Sequence, residues 1–208
     1  MKRLVRAAAA ALALTASASV AEAQGPISFG LAGGISIPSG EANNVGDVSL
    51  DYGDIYDTGY HITLVMGFKA PMVPFGLRGE VMYTKFNGND QISNGVPEEG
   101  PGISIFSVHV NGLFELPLPI AKPYLIGGLG IYSSKQEDTG SSNQPQVDRQ
   151  NDFGLNFGIG TKFQLTGLST FVEVRYHLVF NSQDQDPDQG LDARENFKFI
   201  PITFGIMF

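Results

Sequence analysis

The residues best suited to chemistry near neutral pH are the three histidines, His61, His109 and His177. Three imidazoles could hold a zinc ion by count alone. They lie on separate segments, however, each with the parity of an inward-facing side chain on an extended strand, so separate packed or lumenal histidines are the simpler reading. His177 and Ser182 could form part of a nucleophilic site, but Leu178-Val179-Phe180-Asn181 between them gives the pair opposite facing. No phosphate-binding loop, dinucleotide fingerprint or His-Glu-x-x-His motif is present. With no cysteine, thiolate ligands, a cysteine nucleophile and a disulfide framework are all excluded. The expectation is a protein that is not an enzyme and carries no cofactor.

A second set of charged residues shares the histidines' parity. Arg78, Glu80, His109, Glu115, Lys162, Glu173, Arg175 and His177 all fall on the face opposite an apolar row. Unpaired buried charge is costly, so these eight are expected to form a lumenal charge network. A third set is acidic. Glu41, Asp47, Asp51, Asp54 and Asp57 occupy one polar stretch without a lysine or arginine. Asp184, Asp186, Asp188, Asp192 and Glu195 stand at relative positions 1, 3, 5, 9 and 12 of another, which echoes a calcium loop. There Gly190 falls at position 7 instead of 6 and Pro187 at position 4. Solvated acidic loops are the alternative to a weak calcium site.

Eight extended segments position these residues, near 27–37, 59–70, 75–87, 102–116, 121–134, 152–165, 169–180 and 196–208. Their hydrophobicity alternates with period two, and they are longer than ordinary soluble strands. Val172, Val174, Tyr176, Leu178 and Phe180 alternate with Glu173, Arg175 and His177. Leu77, Val81 and Tyr83 oppose Arg78, Glu80 and Thr84 in the same way. The connections alternate too. Pro71-Met72-Val73-Pro74, Pro117-Leu118-Pro119-Ile120 and Thr166-Gly167-Leu168 are tight. Those near 38–58, 88–101, 135–151 and 181–195 are long and polar. This sorting places the short turns at one end of a sheet and the long loops at the other, as in a membrane barrel.

Alternation alone leaves open whether the apolar face points inward or out. Aromatic placement favours outward. Phe29, Phe68, Phe75, Phe114, Phe163 and Phe208 lie toward the short-turn end, and Tyr60, Tyr83, Phe106, Phe153 and Phe180 toward the loop end. Tyr60 and Phe68 are separated by roughly 26 Å along a strand and about 20 Å along the normal of a tilted one. Two such belts match aromatic girdles. The absence of tryptophan is a mild departure.

The first 23 residues read as an address. Lys2, Arg3 and Arg6 precede an Ala/Leu run, and Ala21-Glu22-Ala23 is a small-x-small cleavage site. Thr15, Ser17 and Ser19 interrupt the run too early for a spanning helix. A cleaved signal peptide over 1–23 is expected, leaving 24–208 as the mature domain. A net charge of −8 disfavours nucleic acid as a partner.

The chain ends Ile200-Pro201-Ile202-Thr203-Phe204-Gly205-Ile206-Met207-Phe208. The terminal aromatic and the alternating apolar residues before it, with Phe204, Ile206 and Phe208 as its core, resemble the C-terminal assembly signal of bacterial outer-membrane proteins. Leu77-Arg78-Gly79-Glu80-Val81-Met82-Tyr83, Pro123-Tyr124-Leu125-Ile126-Gly127-Gly128-Leu129-Gly130 and Phe171-Val172-Glu173-Val174-Arg175-Tyr176 resemble strands of the small eight-stranded barrels of the outer-membrane-protein-A type, often labelled porin-like. That resemblance implies an all-β, eight-stranded antiparallel up-and-down transmembrane barrel, exported through the Sec pathway to the outer membrane. Its implied partners are outer-membrane lipids, lipopolysaccharide and the barrel-assembly machinery. Gly128, Gly130, Gly154, Gly158 and Gly160 on inward faces are expected to leave some space in the lumen. Three readings therefore remain: a salt-bridged scaffold displaying acidic loops to an unidentified partner, a narrow channel or carrier for small solutes, or a soluble secreted ligand-binding barrel.

Overall fold

The structure is a computed structural model that describes residues 26–45, 48–51, 56–70, 72–89, 91–93, 96–98, 100, 102–116, 118–136, 150–165, 168–180 and 196–208. The signal-like stretch 1–23 and the calcium candidate formed by Asp184, Asp186, Asp188, Asp192 and Glu195 lie outside these residues.

Every described element is a strand: β1 (Ile27–Ser39), β2 (Glu41–Val45), β3 (Val48–Asp51), β4 (Gly59–Phe68), β5 (Phe75–Phe86), β6 (Gln91–Ser93), β7 (Val96–Glu98), β8 (Ile103–Glu115), β9 (Ala121–Gln136), β10 (Gln150–Leu165), β11 (Leu168–Val179) and β12 (Phe197–Met207). Eight of them close into a barrel in the order β1-β12-β11-β10-β9-β8-β5-β4, with β1 pairing back to β4. Each neighbouring pair is antiparallel. The chain seals on itself where β1 meets β12, from Gly30 opposite Met207 to Ser39 opposite Lys198. Phe29 N–H then donates to Phe208 O at 3.1 Å, and Phe208 N–H returns to Phe29 O at 2.7 Å. Closure leaves no barrel strand with an unpaired edge.

The alternation seen in the sequence sets the wall. In β4 buried and exposed residues alternate along the whole strand. The exposed side is apolar, with Tyr60, Ile62, Leu64, Met66 and Phe68 about half accessible. The same holds for Val172 and Val174 on β11, and for Ile202 and Phe204 on β12. Polar and charged side chains make up much of the buried side, alongside smaller apolar clusters. A large exposed apolar wall around a polar interior inverts the arrangement of a water-soluble barrel.

Backbone pairing reaches the short-turn end of the barrel. Glu115 N–H donates to Pro74 O across the β5–β8 end at 2.8 Å, and Leu116 N–H donates to Pro123 O at 2.8 Å. Leu165 and Leu168 pair directly. Met72 takes the left-handed conformation in the first turn, with φ of 65°. The first two long connections carry strands of their own. β2 pairs with β3, and β6 with β7, so the first two long loops each carry a short hairpin. Gly40, at φ 92°, turns the chain out of β1 toward the first hairpin, a conformation that glycine adopts without a Cβ clash.

Candidate functional site: the barrel interior

Antiparallel register places the charged residues at successive heights inside the barrel. Glu80 on β5 stands opposite His109 on β8, and Glu173 and Arg175 follow one another at alternate positions of β11. Near mid-height four ions meet. Arg175 Nη1 donates to Glu80 Oε2 at 2.6 Å, and its Nε lies 2.6 Å from Glu173 Oε1. Arg78 Nη1 donates to Glu173 Oε2 at 2.8 Å and sits 3.5 Å from Glu80 Oε1. Each carboxylate thus touches both guanidinium groups. All four residues are at most 3% exposed, so the pairing is what makes their burial tolerable.

Neutral side chains extend the cluster. Asn111 Nδ2 donates to Glu80 Oε2 at 3.0 Å, and Tyr124 O–H donates to Glu173 Oε2 at 2.7 Å. The Arg78 guanidinium also lies over the rings of Phe171, at 4.8 Å, and Tyr124, at 5.3 Å. Such cation–π stacking adds attraction where water is excluded.

The eight residues expected in one network separate into three groups. Arg78, Glu80, Glu173 and Arg175 form the central cluster, with His109 Nδ1 3.7 Å from Glu80. Glu115 and Lys162 belong to a separate group at the turn end, where Lys162 Nζ is 3.7 Å from Glu115 Oε1 and Lys69 also pairs with Glu115. His177 makes no ion pair among the described residues. It takes part in a hydrogen bond between Tyr132 Oη and its Nδ1 at 2.9 Å, and its ring packs 4.7 Å from that of Phe199. The physical reason for the split is that parity reports which face a residue occupies but not its height along the axis.

The histidines do not converge. The rings of His109 and His177 are 5.2 Å apart. His61 is held elsewhere, with Nδ1 2.9 Å from Ser36 Oγ and Nε2 3.0 Å from Thr203 Oγ1. No group of three or more potential ligands able to hold a metal ion occurs among the described residues.

Above the ions, toward the loops, the interior becomes apolar. Met82, Phe86, Ile105, Tyr132, Val179 and Phe199 form a buried cluster, with Tyr56, Ile103 and Phe197 packed against it. Phe86 meets Phe197 and Phe199 edge to face, each at 5.8 Å. Sequence reading singles out none of these as plug residues. Their signal is present in parity, since Phe86, Tyr132 and Phe199 stand on the inward face of their strands.

The inward glycines correct a second expectation. They leave no open space. Gly158 stands opposite Arg175 and Gly130 opposite His109. A Cβ at Gly158 would lie 2.6 Å from Arg175 Cγ, and one at Gly154 would lie 2.6 Å from Tyr132 Cε2. Gly128 is filled by Asn111, and Gly160 by Tyr124, in the same manner. The glycines are seats for the large polar side chains, and the lumen is filled through them.

The aromatic residues expected to form girdles all lie on the apolar face. Tyr60, Phe68, Phe75, Tyr83, Phe106, Phe114, Phe153 and Phe163 are exposed, and Phe180 is half-buried. Phe75 and Phe114 lie 5.2 Å apart near the turn end, and Phe153 stacks on Phe180 at 6.4 Å near the loop end. The two belts are not exclusive, because Phe157 and Tyr176, 5.5 Å apart, stand at mid-wall. Phe204 and Phe208 of the terminal segment are exposed and Ile206 is half-buried, all on the outer face. A hollow of about 630 Å³ also lies on the outer wall, between Phe114, Leu125, Ile159, Val172 and Val174.

Residues 7–205 match the family model described as outer membrane protein beta-barrel domain. No curated protein matches the chain. Among solved structures, Neisserial surface protein A shares the fold, with 12% identity, a TM-score of 0.57, and coverage of 88% of this chain and 96% of that one. A major outer membrane protein from Thermus thermophilus aligns at 14% identity with a TM-score of 0.49, covering 88% of this chain and 98% of that one.

Proposed function

The chain belongs to the outer membrane protein β-barrel domain family, and on that premise we propose that it is an integral scaffold of the bacterial outer membrane with a sealed lumen. Its short turns face the periplasm, and its four long acidic loops are displayed outside for a surface partner. In this reading it is not an enzyme, and it carries neither a cofactor nor a resident metal. The leader 1–23 directs Sec export, the terminal Phe204, Ile206 and Phe208 are read by the barrel-assembly machinery, and the apolar wall contacts lipid and lipopolysaccharide.

The observation that carries this proposal is the doubly obstructed interior. An ion that entered from the loop side would meet Phe86, Tyr132 and Phe199, which are essentially inaccessible to solvent. Beyond them it would meet the Arg78, Glu80, Glu173 and Arg175 cluster, where each charge already has partners of opposite sign. Opening a path means breaking several charge-assisted hydrogen bonds that are strong away from water. Planar-bilayer recording tests the proposal. The purified barrel is expected to be electrically silent, and reproducible discrete conductance steps would refute the sealed lumen.

A narrow pathway for water or small solutes is the second reading. It is favoured by the buried Thr63 Oγ1, Thr84 Oγ1, His109 Nε2 and Asn111 Oδ1, which have no hydrogen-bond partner among the described residues. Such atoms are ordinarily satisfied by ordered water. Water uptake by proteoliposomes under osmotic shock separates this reading from the first.

A further inference from the structure

The turn-end mouth of the barrel carries a charge arrangement that the central network does not explain. Lys162 on β10 stands directly opposite Lys122 on β9. Both share the inward parity of their strands, and like charges in that relation destabilise a sheet. Lys69, beyond the end of β4, joins them by pairing with Glu115. Glu115 is the only side-chain carboxylate at this end among the described residues, and its two oxygens are divided between Lys69 and Lys162. Lys122 has no ion-pair partner among the described residues. Three ammonium groups therefore surround one carboxylate at a mouth that is half open, since the Lys69 side chain is 35% exposed and that of Lys162 16%.

Glu80 and Glu173 cannot neutralise this excess, because both are taken up by Arg78 and Arg175 deeper in the lumen. No other described side-chain carboxylate is at hand, and a bound anion can supply the missing negative charge. We propose that Lys122, Lys162 and Lys69 form an anion-binding site at the turn-end mouth that takes a phosphate-bearing group. A tetrahedral phosphate offers several oxygens at once. It can accept from Lys122 and Lys162 together, which turns a repulsive cross-strand pair into a bridged one, while Glu115 keeps Lys69 in place. The phosphate can come from a soluble anion entering from the aqueous side or from a phospholipid headgroup reaching over the rim.

Amide NMR of the intact barrel in phosphate-free alkylglucoside micelles tests the site, with inorganic phosphate as the probe and chloride at equal ionic strength as the control. Saturable shifts around Lys69, Glu115, Lys122 and Lys162 are expected. Lys122→Gln should weaken binding about tenfold, and Glu115→Gln, which removes a competing negative charge, should strengthen it. If Lys122→Gln does not fold, as judged by its unheated gel mobility, Lys162→Gln replaces it with the same expectation. A parallel titration of the same phosphate-free micelles with phosphatidylglycerol separates the sources. Saturation by free phosphate identifies a soluble ligand, and shifts produced by phosphatidylglycerol alone identify a headgroup. The proposal is overturned by no saturable response in either series, by shifts that chloride reproduces, or by unchanged affinity in a folded lysine variant.

Discussion

Gly158 and Arg175 face each other across the β10–β11 ladder, and the stem of the arginine occupies the volume where a side chain at 158 would begin. This pairing lets a long cation lie along the wall of a barrel too narrow to let it cross the axis freely. The guanidinium is then delivered to Glu80 and Glu173 together.

Gly158→Ala is expected to destabilise the barrel by roughly 1–3 kcal/mol, the usual cost of overpacking. The new Cβ would meet the Val174 carbonyl oxygen as well as Arg175, so a side-chain shift alone cannot relieve it. Urea unfolding of the refolded protein, followed by loss of the unheated gel band, reads this directly. An unchanged midpoint would mean that the seat is dispensable.

The central ions should behave as a unit. Arg175→Ala leaves Glu80 and Glu173 buried with one cation fewer, and a loss of about 3–5 kcal/mol is expected. Removing Arg175 and Glu80 together should cost less than the two single losses combined, because the second change removes a charge that the first left unpaired. A double-mutant cycle on urea midpoints measures the coupling, and strict additivity would rule out a shared network.

Tyr132→Phe tests the layer above the ions. It keeps the ring between His109, His177 and Phe199 but loses the hydrogen bond to His177. About 1 kcal/mol of stability should be lost, with the lumen still sealed. If this variant conducts while the wild type does not, the hydroxyl rather than the aromatic packing closes the loop end.

In the first tight turn Met72 holds a positive φ with its side chain fully in solvent. Met72→Gly removes the left-handed penalty without loss of packing, and after glycine's larger unfolded-state entropy a net gain of about 0.5–1 kcal/mol remains. Thermal or urea unfolding checks the sign.

Much of this arrangement is legible along single strands. Parity puts Glu173 and Arg175 on one face and Val172 and Val174 on the other, because a strand has two faces and one is uniformly apolar, and aromatic placement then marks the apolar face as the outer one. What a single strand cannot reveal is its register against the next. The Gly158–Arg175 and Gly130–His109 pairs depend on that register, so the glycines read as voids when they are seats. Parity carries no height, which is why it groups Glu115 and Lys162 with ions that lie deeper, although their neighbours Phe114 and Phe163 already read as short-turn-end residues. The role of Lys69 and Lys122 at the mouth, and the β2–β3 and β6–β7 hairpins, escape sequence reading because turn-end and loop residues carry little periodic signal.

The central claim is that the apolar wall faces hydrocarbon and the packed interior faces nothing but itself. The chain contains no tryptophan, so one introduced indole is an unambiguous reporter. Phe204→Trp on the outer wall and Phe199→Trp in the interior can each be reconstituted in bilayers of phospholipid brominated at mid-chain. Strong quenching of the indole at 204 by the brominated lipid, with the indole at 199 protected from both bromine and aqueous iodide, is the predicted result. Quenching of the indole at 199 by bromine, together with iodide access to 204, would contradict it.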